Sequence, residues 1–189
     1  LVARFPHRLL HPDDSVLGMG LLSIHPLTER SNGRNPPHVH ADMRLRDGLT
    51  VSTLVGHPLP PKFGTLFDVI PTGYVASERD ASISLLRVKV ASDLAAGTPV
   101  IVLGDFNVTD REPAYHDLTA GLKDAHLEVG FGPGSTWRPA RFAGVPLGVL
   151  RIDYVLVGGA VRPLTVAADC ASSGSDHCIV ESTLAVASP

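Results

Sequence analysis

The chain has 189 residues, 44% of them hydrophobic and 19% charged, which fits one globular domain with a real core. A formal charge of -3 argues against a broad cationic surface for polyanions, though a local basic groove stays compatible with it. Recurring runs of Val, Leu and Ile exclude helix-only and repeat architectures, and no apolar stretch reaches membrane-spanning length.

In chain order, residues 16–27 read as a strand with a Gly-rich middle, Gly18-Met-Gly20. Residues 39–45 alternate Val39, Ala41, Met43 and Leu45 with His40, Asp42 and Arg44, the pattern of a half-buried strand. Asp47-Gly48 turns the chain into residues 49–55, completing a hairpin. His57-Pro-Leu-Pro-Pro61 stops that strand, and residues 58–75 read as a long loop. Ser77 and Asp80 mark a helix N-terminus, after which Ile83, Leu86, Val90 and Leu94 recur at helical spacing as far as Gly97-Thr-Pro99. A central strand follows over 100–104. Glu112-Pro113 opens a second helix to about Gly121, and residues 129–149 form a Gly- and Pro-rich loop around Trp137. Further strands are predicted over 151–157, 161–167 and 179–186. Strands and helices alternate irregularly without a linker, which predicts an α/β sandwich of mixed sheets in a single domain over 1–189.

The chemistry gathers in a few places. Val100-Ile-Val-Leu-Gly-Asp105-Phe106-Asn107 ends a buried strand in a carboxylate and an amide. Spaced two apart at the carboxyl edge of a sheet, Asp105 and Asn107 can face one cleft, as α/β proteins commonly arrange, or merely bond a turn. Ser175-Asp176-His177 adds a carboxylate and an imidazole ahead of an apolar strand. Such hard oxygen donors suit Mg²⁺ or Mn²⁺, and the imidazole beside them suits hydrolysis of a phosphate ester. Asp153 lies inside an apolar run, where a carboxylate needs a partner: an imidazole to orient, or Arg151. His57 closes its strand where a phosphate-binding group would stand.

Other residues read more plainly. His38 and His40 share a strand face and are taken as surface histidines, His11-Pro-Asp-Asp14 as a solvated turn, and Arg79 as a helix-surface residue. Trp137 and Arg141 are candidate substrate contacts, with capping of the core the competing role for Trp137. The cysteines, Cys170 and Cys178, are expected to be reduced and packed.

The order His57, then Gly104-Asp-Phe-Asn107, then Arg151-Ile-Asp-Tyr154, then Ser175-Asp-His177 resembles the endonuclease/exonuclease/phosphatase superfamily over about residues 4–186. The resemblance implies a deoxyribonuclease I-like fold, a four-layer sandwich of two mixed sheets flanked by helices. It implies a divalent-metal-dependent phosphoester hydrolase, whether phosphodiesterase, phosphatase or nuclease, working by in-line attack of water on phosphorus. By the same resemblance His57 would contact the scissile phosphate and Asp105 would activate or orient the water. Asn107 would hold a phosphate oxygen and help position the metal, Asp153 would orient His177, Asp176 would be a metal ligand, and His177 would be the general base or transition-state stabiliser.

Family domains open with a strand carrying an Asn and a later strand ending in a metal-binding Glu. Neither is found here, and the chain is expected to start inside the domain at Phe5-Pro-His-Arg8, as a carboxyl-terminal part lacking the first strands. Two expectations follow: weakened metal affinity, and self-association through an open sheet edge. A small phosphoester is favoured over nucleic acid or phospholipid, because Arg138, Arg141 and Arg151 are the few cations near the site and no exposed apolar hairpin is obvious. A non-catalytic relative acting as a binding module is the alternative. Leu1 is not an initiator Met, so an upstream segment, signal or membrane anchor is left open, and with it the compartment.

Overall fold

The apolar runs of the middle of the chain are paired on both sides and form the centre of a six-stranded sheet. The structure is a computed structural model that describes residues 4–46, 48–66, 70–138, 140–142, 145–147, 150–171 and 175–187. β1 (His7–His11) and β2 (Met19–Ser23) make an antiparallel hairpin. β3 (Leu27–Arg34), β4 (Pro37–Arg44) and β5 (Thr50–Gly56) then run as an antiparallel meander. After β6 (Lys62–Leu66), β7 (Ile70–Val75) and α1 (Ser77–Ala95), the chain returns as β8 (Val100–Asp105), parallel to β5. α2 (Pro113–Leu118), β9 (Lys123–Asp124) and α3 (Ala125–Val129) follow, then the short pair β10 (Ala140–Phe142) and β11 (Val145–Leu147). β12 (Asp153–Gly158) lies antiparallel to β8, and β13 (Val161–Asp169) and β14 (Ile179–Val186) close the chain as a hairpin. The sheet order is β3-β4-β5-β8-β12-β9.

Strand alternation sends successive side chains to opposite faces. Leu54, Val100, Val102, Tyr154 and Leu156 face α1 and α2, where Ile83, Leu86, Val90, Tyr115 and Leu118 complete one core cluster. On the other face Val51, Ile101, Val155 and Val157 meet the β13–β14 hairpin, while Val39 and Ala41 meet the β1–β2 hairpin. The result is an α/β architecture of mixed sheets with α1 and α2 on one side and the hairpins, with the short α3, on the other. Among the described residues no helix is long and apolar enough to cross a membrane.

Several expectations are corrected. Residues 16–27 are not one strand: β2 covers Met19–Ser23 and β3 begins at Leu27. Gly48 adopts φ 84° at the predicted turn, whose Asp47 lies outside the described residues. The loop expected over 58–75 is the β6–β7 hairpin, with Phe63 and Tyr74 exposed, so an exposed aromatic hairpin does exist beside the site. Periodicity missed it because Pro71, Gly64 and Gly73 interrupt the alternation. Ser77 is not the cap of α1; Ala76 holds that position without a side-chain bond.

The histidines of β4 are not at the surface. His38 is 6% exposed and His40 is 4% exposed, on the helix-side face. His40 Nε2 lies 2.9 Å from Asp93 Oδ2 and 2.9 Å from Ser52 Oγ, while Arg30 donates to Asp93 Oδ1 at 2.6 Å. Asp93, reaching from α1, thus links the helix to three strands through a network a sequence pattern cannot show. Burial holds both imidazoles below their ordinary value of 6.5. A histidine with a depressed folded pKa takes up its proton more readily when unfolded, so its contribution to stability is complete above 6.5 and lost as pH falls below it. Asp105, raised by burial to about 6, acts with the opposite sign and loses its contribution as pH rises through that value. Wild type is therefore expected to lose more stability between pH 7.5 and 5.5 than the His38→Gln/His40→Gln variant, as read by denaturant midpoints at each pH. Equal losses would remove the buried imidazoles from the account.

Candidate active site

Parallel register aligns Gly56 of β5 with Gly104 of β8, so the next residues, His57 and Asp105, stand side by side at the carboxyl edge. Antiparallel register sets Asp153, first residue of β12, directly opposite Asp105. Directly opposed residues share a face, which brings two carboxylates together on the hairpin side of the sheet. Gly104 is required for this. It has φ 142°, and a Cβ there would lie 1.9 Å from the Gly56 carbonyl oxygen.

His177 completes the group. Its Nδ1 faces Asp153 at 3.0 Å (Oδ2) and 3.2 Å (Oδ1), and its Nε2 lies 3.8 Å from Asp105 Oδ2. His57 Nε2 is 3.7 Å from the same Asp105 oxygen. Asn107 sits in the left-handed region at φ 50°, which Asn tolerates, and its backbone N–H donates to Asp105 Oδ1 at 2.9 Å. Its side-chain Nδ2 donates to Pro58 O at 3.0 Å, which leaves Oδ1 for a substrate or ion. Burial and then the facing Asp153 charge push the Asp105 carboxyl up to about 6.

Asp105, Asp153 and His177 have ligand atoms within 4.8 Å of one another, the donor set of a candidate metal centre. Two crowded carboxylates, one with its pKa raised, fit a hard divalent cation, whose charge would offset their repulsion. The Asp176 carboxylate is turned aside from this group and accepts from Trp137 Nε1 at 3.0 Å. Asp105, Asn107, His57 and His177 line one cleft of about 870 Å³, with Trp137 in its wall. The side chain of Arg141 lies outside the described residues.

A strap joins these parts. Thr136 Oγ1 accepts the N–H groups of Ile152 and Asp153, both at 3.1 Å, and Thr136 O accepts from Cys178 N at 2.7 Å. Arg138 N donates to Asp176 O at 2.8 Å, and Trp137 bridges both Leu150 and His177. Residues 129–149 therefore include paired backbone, contrary to the expected loop. Nothing in the local pattern marks Thr136, whose contacts are all distant in sequence.

Two further expectations are overturned, and the Arg151 alternative for Asp153 is excluded. Cys170 and Cys178 form a disulfide with Cα atoms 4.3 Å apart, closing the segment that carries Asp176 and His177. Arg151 does not pair with Asp153; it donates to Asp124 at 2.5 Å and Asp110 at 3.1 Å. Arg79 is 2% exposed, donating to Asn107 O at 2.8 Å and Tyr74 OH at 2.7 Å and pairing with Glu112 at 2.7 Å. Glu112 and Tyr74 enter the cleft wall through that arginine, and neither stood out in the sequence.

The model of the Endonuclease/Exonuclease/phosphatase family matches residues 3–177. The chain belongs to that family. No curated protein matches it. Among solved structures, this member of the family resembles the human Nocturnin catalytic domain with bound sulfate anion (TM-score 0.65, 18% identity, 93% of this chain, 72% of that one). It also resembles D. rerio TDP2 complexed with single strand DNA product (TM-score 0.65, 16% identity, 95% and 76%). A third likeness is the Bacteroides thetaiotaomicron VPI-5482 mannosyl-6-phosphatase Bt3783 (TM-score 0.56, 18% identity, 78% and 56%). The chain spans little more than half the length of this last protein. At these identities the likeness shows the shared deoxyribonuclease I-like fold.

The disulfide closes a short loop, and replacing both cysteines by Ser is expected to lower unfolding free energy by about 2.5 kcal/mol. Urea midpoints of the variant and of reduced wild type should fall together; an unchanged midpoint would show that the bridge carries no stability.

Proposed function

We propose that this family member is a divalent-metal-dependent phosphoester hydrolase in which water attacks phosphorus in line with the leaving oxygen. The supporting observation is the chain of contacts from Asp153 to His177 to Asp105 at the floor of one cleft. Asp153 fixes the imidazole through Nδ1, so Nε2 is the atom offered to the cleft. Asp105, with a pKa of about 6, sits near neutral pH and is matched to orienting water and taking its proton. His57 would donate a hydrogen bond to a phosphoryl oxygen, while Asn107 Oδ1, its Nδ2 being bonded to Pro58 O and Asp105 Oδ2, would accept from the attacking water or help to hold the ion.

Asp105 and Asp153 would hold Mg²⁺ or Mn²⁺, whereas the Asp176 carboxylate is held by Trp137 Nε1 and would have to turn to join them. When bound, the ion supplies charge neutralisation at the phosphoryl oxygens. The Cys170–Cys178 bridge supports an oxidising compartment, since disulfides seldom persist where thiols are kept reduced.

Hydrolysis of bis-p-nitrophenyl phosphate is expected to need added Mg²⁺ or Mn²⁺ and to stop with a chelator. His177→Ala should cost about 10²- to 10⁴-fold in rate. Asp153→Asn should cost at least about 10- to 100-fold, shift the pH profile and raise the Mg²⁺ concentration needed, because it misorients the imidazole and removes one charge of the carboxylate pair. Wild-type rates from His177→Ala would end the proposal.

A further inference from the structure

We infer that the wall of the cleft is a specificity subsite for a bulky apolar ester group, so that the substrate is a phosphodiester carrying such a group. This rests on the phosphoester reading above and adds the class of substrate.

The polar groups of the site occupy the floor at the ends of β5, β8 and β12. The remainder of the 870 Å³ cleft is walled by Pro60, Pro61, Phe63, Tyr74, Trp137 and Leu150. Phe63 is 65% exposed, Tyr74 51% and Leu150 40%, and the two rings lie 5.4 Å apart, tilted by 56°. Large apolar side chains left this open and gathered beside a catalytic floor are what a ligand pocket presents. The wall is also held in place. The Tyr74 hydroxyl donates to Glu112 at 2.6 Å and accepts from Arg79 at 2.7 Å, which fixes the ring by its polar end.

Charge argues the same way. Among the described residues that line the cleft there is no Lys or Arg, while Asp105 and Glu112 are acidic. Arg79 is spent on Asn107, Tyr74, Asp80 and Glu112, Lys62 pairs with Glu78 at 2.8 Å, and Arg138 lines a separate pocket with Phe131 and Cys170. Among the described lining residues a polynucleotide would find no Lys or Arg for its further phosphates. A sugar phosphate would strip water from its hydroxyls against prolines and rings without new hydrogen bonds. An apolar ester group loses only unfavourable hydration there. The single charge of a diester also suits a cleft whose described lining contributes no permanent cation.

The test compares diphenyl phosphate with dimethyl phosphate by calorimetry in the presence of Mg²⁺, which needs no turnover. Diphenyl phosphate should bind at least about tenfold more tightly, and Phe63→Ala should shrink that ratio severalfold. Affinities no better than that of dimethyl phosphate for both diphenyl phosphate and a monomeric short-chain phosphatidylcholine, or no binding of any of them, overturn the inference. A short single-stranded oligonucleotide that binds better than diphenyl phosphate also overturns it. An apolar group could belong to an aryl ester or a lipid; short-chain phosphatidylcholine kept monomeric distinguishes them, and tighter binding than dimethyl phosphate by either upholds the subsite and names its source. In parallel, methyl and phenyl p-nitrophenyl phosphate share a leaving group. His177-dependent hydrolysis without phenyl preference would defeat the subsite alone, whereas hydrolysis indifferent to His177→Ala would defeat the reading beneath it.

Discussion

The close run of β5 against β8 is the constraint on which the site depends. The Gly56 carbonyl oxygen occupies the place where a side chain at residue 104 would begin, so only glycine allows the two strands to end level. Level ends put His57 beside Asp105, and the antiparallel β12 then has one register that keeps Val155 and Val157 inward. A slip of one residue would turn Asp153 to the helix side and exchange those valines with Tyr154 and Leu156 between the two cores. Core packing therefore sets the spacing of the two carboxylates. The repulsion between them is sustained because moving either acid would also move a strand.

His177 is placed differently, since it precedes β14 and belongs to no strand of the central sheet. Its position comes from the Thr136–Arg138 strap on one side and the Cys170–Cys178 bridge on the other. Backbone hydrogen bonds fix the segment in register with Trp137, and the covalent bridge limits the states open to it when those bonds break. The imidazole then needs only Asp153 to select its orientation. This separates the positioning of the imidazole from that of the carboxylates. The carboxylates are held by sheet packing and the imidazole by local ties, so the two should respond independently to substitution.

What was legible in the sequence was whatever is written at short range. The apolar runs of β8 and β12, the helical spacing of α1, and the Gly104-Asp-Phe-Asn107 and Ser175-Asp-His177 tripeptide-scale motifs all declare themselves within a few residues. The missed features are those whose meaning lies in a distant partner. Arg79 looked like a surface residue because its helix neighbours are polar, yet Asn107, 28 residues on, is its acceptor. His40 looked exposed in an alternating strand, but the sheet face it occupies is covered by α1, and Asp93 waits there to receive it. The β6–β7 hairpin was hidden by glycine and proline, and with it the aromatic wall.

That wall and the catalytic floor are not independent, and Arg79 is the reason. A guanidinium buried this completely is tolerable only with its donors satisfied, because an unpaired buried charge costs several kcal/mol. Apart from Asp80 beside it on α1, its partners divide into two sets. Asn107 O belongs to the turn that holds Asp105, while the Tyr74 hydroxyl and the Glu112 carboxylate belong to the cleft wall. Glu112 in turn accepts from Thr109 N at 2.8 Å, which closes the loop between β8 and α2 over the same arginine. A shift of the wall away from the floor would take Glu112 from this buried cation and leave it Asp80, its neighbour on α1, as the one carboxylate among those described. The binding surface is thus anchored to the chemistry by one side chain that touches neither solvent nor the cleft.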